Sequence, residues 1–245
     1  MNHAKIGTTP KRSLLTKKFL YAFMAVIGIS TIFAIRMART NYSSPDNDVL
    51  ATVIQSTGKH ILGGRFLDSR IQRRNADGTV DETFSRSWSA GGFNNTVMAL
   101  AVQADDQILA AGEFTNFDSS LVGHIARLKA DGSLDTAFAN AIGTGFDDTV
   151  SSVAVQSDGK ILVGGAFSSF NGTSVARVAR LNADGTLDST FTPNSGFDAA
   201  VRSIHIDSSG RILVGGDFKT YSGTSKPYLA SLLSNGGLDA EYPKK

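Results

Sequence analysis

The sequence predicts an all-β protein: a β-propeller of four roughly 50-residue blades, each of four antiparallel strands, forming a closed ring or an open arc behind one N-terminal hydrophobic helix. Three observations predict it. A stretch closing on a Gly pair, or on Ala-Gly in the second unit, and a Phe two residues on recurs four times, with the Phe at 66, 114, 167 and 218. These steps of 48, 53 and 51 residues fall at the period of solenoids and propellers. An alternating stretch precedes each recurrence and an Asp-Gly-type turn follows it, so every unit repeats one order of short strands. An apolar content of 41% is enough for a core.

Residues 1–18 form a basic segment, and Phe19 to Ile35 is an apolar run of 17 residues without a charge. The run is at the short edge of what spans a bilayer and longer than a typical signal-peptide core, so it reads as a transmembrane signal-anchor or a signal peptide. Five basic residues precede it and two follow, which predicts a cytoplasmic N-terminus and an outward-facing remainder. The expected location is membrane-anchored and facing outward, or secreted or periplasmic if the segment is cleaved. A polar linker occupies 36–48.

The repeat units run 49–84, 97–138, 150–191 and 201–242. Each opens on an alternating strand: VLATVIQ, VMALAVQ, VSSVAVQ and VRSIHID. A tight turn leads into a β-branched strand closed by the Gly pair, or by Ala111-Gly112 in the second unit, where the backbone makes a close approach or a bulge. A longer connection reaches a third strand such as VARVARL (175–181), and the turn 182–186 leads to the fourth at LDSTF (187–191). The combination V-x-x-V-x-V-Q, D-G-K-I-L-V-G-G-x-F and A-R-L-N-x-D-G-x-L-D-x-x-F resembles the delta-60 repeat of bacterial envelope and secreted proteins, strongest over 150–191. The resemblance implies a propeller-like fold and brings no shared catalytic residues.

Two departures break the repeat. From the strand-ending Phe to the next turn, units two to four span 17 residues and unit one spans 11. The shorter unit places Arg70-Ile71-Gln72-Arg73-Arg74 where the others have an apolar strand, which predicts a weak or absent third strand and a terminal capping repeat. The second departure is Ser231, in the slot of Arg73, Arg127 and Arg180. Those arginines recur with Asp81, Asp135 and Asp188 eight residues on, so one structural Arg/Asp contact per blade is expected, unmade in the fourth beside Asp239.

In a meander blade the short Asp/Gly turns share one face and the long varied connections share the other. Binding residues concentrate on varied loops over a rigid scaffold. The candidates there are Trp88, Asp118, His124, Asp147, Asp148, Asn171, Tyr221, Lys226 and Tyr228. The Asn-Ala-Asp-Gly turns lack the spacing of a calcium loop, and the four histidines lack metal-ligand spacing. With no cysteine there is no thiolate chemistry, and neither a cofactor nor a metal is expected. Residues 1–40 carry seven of the 24 basic residues and no acidic one, leaving 17 basic against 22 acidic elsewhere, so nucleic acid is not an expected partner.

The resulting expectation is a binding or scaffold module of the cell envelope, exported or membrane-tethered through residues 19–35. Its partner would be an envelope protein or glycan, with a homodimer if the ring stays open. The rival reading is an extracytoplasmic hydrolase or lyase in the propeller funnel, using His124 with Asp118 or Asp147. A third is a non-functional piece of a longer propeller.

Overall fold

A computed structural model describes residues 48–66, 69–84 and 91–242. The basic segment, the apolar run at 19–35, most of the linker and Trp88 lie outside the described residues. Among the described residues, no helix is long and apolar enough to cross a membrane.

Blade 1 comprises β1 (Val49–Ile54), β2 (His60–Gly64) and β3 (Ile71–Arg74). Blade 2 comprises β4 (Val97–Val102), β5 (Ile108–Gly112), β6 (Asn116–Phe117), β7 (Ser120–Leu121) and β8 (Ile125–Leu128), followed by the helix α1 (Thr136–Ile142). Blade 3 comprises β9 (Val150–Val155), β10 (Ile161–Gly165), β11 (Ser169–Phe170), β12 (Thr173–Ser174) and β13 (Val178–Leu181). Blade 4 comprises β14 (Val201–Ile206), β15 (Ile212–Gly216), β16 (Thr220–Tyr221), β17 (Thr224–Ser225) and β18 (Leu229–Leu232). The main sheets are antiparallel in the orders β1-β2-β3, β4-β5-β8, β9-β10-β13 and β14-β15-β18. In blades 2 to 4 the long connection carries its own two-stranded hairpin: β6-β7, β11-β12 or β16-β17.

The blades have three full strands, not the expected four. The fourth is reduced to one bridge per blade: Arg74 to Val80, Leu128 to Leu134, Leu181 to Leu187 and Leu232 to Leu238. The next residue is Asp81, Asp135, Asp188 or Asp239, and its carboxylate turns the chain out of the sheet. Asp81 and Asp188 take the amides of Thr83 and Thr190 at 3.0 and 2.9 Å. Asp135 instead takes the amides of Ala137 and Phe138 and so caps α1.

The expectation for β3 also needs correcting. The strand is present and pairs with β2 from Ile71 opposite Gly63 to Arg74 opposite His60. Ile71 is buried, and Arg73 is buried beside it because Asp81 neutralises its charge, so the sequence still alternates in burial. The residues missing from blade 1 are those that form the small hairpin in the other blades.

Three apolar clusters hold the arc together, one at each junction between consecutive blades. At the junction of blades 3 and 4, Leu162 and Val178 face Ile204, Ile212 and Leu232, all essentially excluded from water. Each fully buried side chain of this size contributes about 1.5–3 kcal/mol, so these seams carry most of the stability. The Gly pairs serve two purposes. A Cβ on Gly164 would lie 2.4 Å from Val201 Cγ1 of the next blade, and one on Gly165 would lie 2.1 Å from the carbonyl of Thr149, the residue just before its own first strand. First strands pack in the sequence β1, β4, β9, β14. Among the described residues β14 does not pack on β1 as the others pack on their neighbours, so the four blades form an open arc.

Candidate functional site

The long connections are fixed by an aromatic group in each of blades 2 to 4. A Phe from the crossing, the Phe after the Gly pair and an aromatic of the small hairpin meet as Phe93, Phe114 and Phe117, as Phe146, Phe167 and Phe170, and as Phe197, Phe218 and Tyr221. Ring centroids lie 4.1 to 4.8 Å apart, in tilted or edge-on arrangements that aromatic pairs prefer. Tyr221 is therefore not a surface group: it is 1% exposed, donates to the Gly236 carbonyl, and has its phenol pKa pushed up by burial. Its alignment with Phe117 and Phe170 is the signal that marks it as core.

Most of the other sequence candidates hold loops in shape. Asp147 accepts the amides of Ser168 and Ser169 at 2.8 and 2.9 Å and the Ser168 hydroxyl. Desolvation raises its carboxyl, but these hydrogen bonds outweigh it and bring the pKa down to about 2. Asn94 and Asp198 fill the same role in blades 2 and 4, each accepting two amides 21 and 22 residues on. Asp118 accepts the Gly92 amide, Asn171 accepts the amides of Thr144 and Gly145, and Asp148 accepts the Thr149 amide. Asp118 and Asn171 occupy hairpin tips at φ 50° and 46°. Lys226 donates to the Tyr242 carbonyl at 3.4 Å.

One row of residues differs. Arg70, His124, Arg177 and Tyr228 precede the third strand of their blades with φ of 62°, 70°, 68° and 69°. Their carbonyls accept the amide of the second Gly of each pair at 2.9 to 3.1 Å, so four equivalent backbones are pinned alike. The side chains are unlike: two guanidiniums, an imidazole and a phenol that is 58% exposed. Left-handed backbone at non-Gly residues costs about 1–3 kcal/mol and persists where surroundings impose it. The sequence reading named His124 and Tyr228 and missed Arg70 and Arg177, whose shared register just before the third strand was the available signal. Lys219 lies 3.6 Å from the Tyr228 ring centroid, adding a cation to the blade 4 end of the row.

The opposite face holds the buried charges. Arg73, Arg127 and Arg180 pair with Asp81, Asp135 and Asp188 at 2.8, 2.8 and 2.7 Å. Desolvation raises the carboxyls of Asp81 and Asp188, but hydrogen bonds outweigh it, from Lys59 to Asp81 and from Thr190 and Lys160 to Asp188, and hold both well below the usual carboxylate range. Each guanidinium also reaches forward to a turn carbonyl of the next blade: Ala130, Ala183 and Ser234 respectively. It covers the Phe of its own blade at 4.5 to 5.0 Å. In blade 4, Ser231 donates to Asp239 at 3.1 Å instead. The arginine thus clamps one blade to the next, a role that intrablade spacing alone does not reveal.

Among the described residues, no group of three or more His, Cys, Asp or Glu side chains could hold a metal ion. An open depression of about 380 Å³ lies between the β6-β7 hairpin and α1, lined mainly by Ser120, Leu121, Thr136 and Ala139.

A family profile described as "Domain of unknown function (DUF5122) beta-propeller" matches residues 55–84, 103–138, 156–191 and 208–242, one segment per blade. No curated protein matches the chain. Among solved structures, the chain is similar to a streptogramin B lyase at 17% identity, covering 78% of this chain and 56% of that one, with a TM-score of 0.45. It is similar to a gluconolactonase from Xanthomonas campestris at 14% identity, covering 76% and 59%, with a TM-score of 0.47. It is also similar to PorZ, a bacterial surface component of the type-IX secretion system of Porphyromonas gingivalis, at 14% identity, covering 83% and 29%, with a TM-score of 0.44. The chain spans less than two thirds of the length of each of these structures.

Proposed function

The chain belongs to the DUF5122 beta-propeller family, and from that premise we propose a binding and scaffold module of the cell envelope, exported or membrane-tethered through residues 19–35. Its loop face takes up a protein or glycan partner. The observation that carries this reading is the row Arg70, His124, Arg177 and Tyr228, where one backbone geometry recurs in all four blades while consecutive blades present different side chains, two guanidiniums, an imidazole and a phenol. A scaffold that repeats its backbone while varying what it presents is organised for recognition. The envelope address rests on the apolar run with its charge asymmetry and on the delta-60 resemblance of the repeat motifs.

The hydrolase or lyase reading has less support. Asp147 and Asp118 accept backbone amides of the loops they shape, and His124 Nδ1 faces the Gly112 carbonyl at 3.2 Å. A general acid needs a carboxyl tuned toward neutrality, whereas the Asp147 carboxyl is depressed to about 2.

The test is capture from a solubilised envelope fraction and on a glycan array, comparing the wild type with a variant carrying Ala at 70, 124, 177 and 228. Loss of capture with an unchanged melting temperature supports the row as the binding surface. Capture that persists in this variant and is lost on substituting the turns at 77, 131 and 184 places recognition on the other face and refutes the reading.

A further inference from the structure

We draw no further inference here: the strongest candidate, the open depression between the β6-β7 hairpin and α1, where half-exposed Leu121 stands in the place of Ser174 and Ser225 of the later blades, carries nothing because nothing in the structure shows what covers it.

Discussion

Replacing Arg180 with Ala tests whether the buried arginines clamp blade to blade. The side chain pairs with Asp188 at 2.7 Å, donates to the Ser234 carbonyl of blade 4 and to Thr190 at 3.2 Å, and covers Phe191 at 5.0 Å. Both charged side chains are nearly excluded from water, at 7% and 4%. Removing one member of a buried pair costs about 3–5 kcal/mol because the remaining charge stays desolvated. Lys160 remains 2.9 Å from Asp188 and keeps one cation on it, which sets the loss at the lower end, about 3 kcal/mol. For a folded region of this size that corresponds to a fall in Tm of roughly 6–12 °C, read by calorimetry or thermal circular dichroism. Amide exchange in the blade 4 turn at 234–236 should accelerate too, since that turn loses its donor from blade 3. Arg127→Ala should cost less, because its pair is more exposed, at 14% and 12%. A Tm shift below about 2 °C, less than 1 kcal/mol produces, would refute the clamp.

Acid should unfold the arc through the same carboxylates. Asp81 and Asp188 have folded pKa values below their unfolded ones, so their contribution is complete above about pH 4 and disappears as pH falls through the folded values. Tm should be flat from neutral pH to about 5 and drop steeply below 4, with a shallower drop in Asp188→Asn. Gly164→Ala should cost about 1–3 kcal/mol in urea unfolding, because the new methyl meets Val201 and Ile204. His124→Gly should raise stability by about 1 kcal/mol by relieving left-handed backbone at a non-Gly residue. A Tm lowered by that change would mean the imidazole contributes more through Gly112 than its backbone costs.

The repeat was legible because its submotifs are short and regularly spaced, and the strands follow them within a residue or two. The fourth strand was misread because Leu187-Asp188-Ser189-Thr190-Phe191 has the composition of a strand, while the Asp188 carboxylate bonds Thr190 and ends the pairing after one residue. Blade 1 looked too polar at 70–74 for a strand because four of its five side chains are polar, although the pairing of Arg73 with Asp81 eight residues on, legible in the sequence, is what lets Arg73 be buried in the strand. Asp147, Asp118 and Asn171 looked like free polar groups on varied loops. Their constant offset from the amides they accept, 21 and 22 residues for Asp147 and likewise for Asn94 and Asp198, was the overlooked sign of a structural role.

Where the chain places glycine separates the two faces. The tight turns between first and second strands need left-handed backbone, and three of the four use Gly58, Gly159 and Gly210 at φ of 76° to 83°. The fourth uses Asp106 at 61°, which accepts the Ser56 amide and hydroxyl and so ties blade 2 to blade 1. On this face a side chain stands in a left-handed position only when it makes a structural contact between blades. The row before the third strands needs the same backbone four times and uses no glycine. Arg70, Arg177 and His124 do contact carbonyls of their own blades, yet glycine would remove the strain at all four positions. Tyr228, more than half exposed, with the surface cation Lys219 over its ring and donating to its hydroxyl, gains least from packing. A chain that uses glycine in three of the four equivalent left-handed turns on the opposite face and in none of the four here keeps these side chains for what they present outward, at a cost in stability.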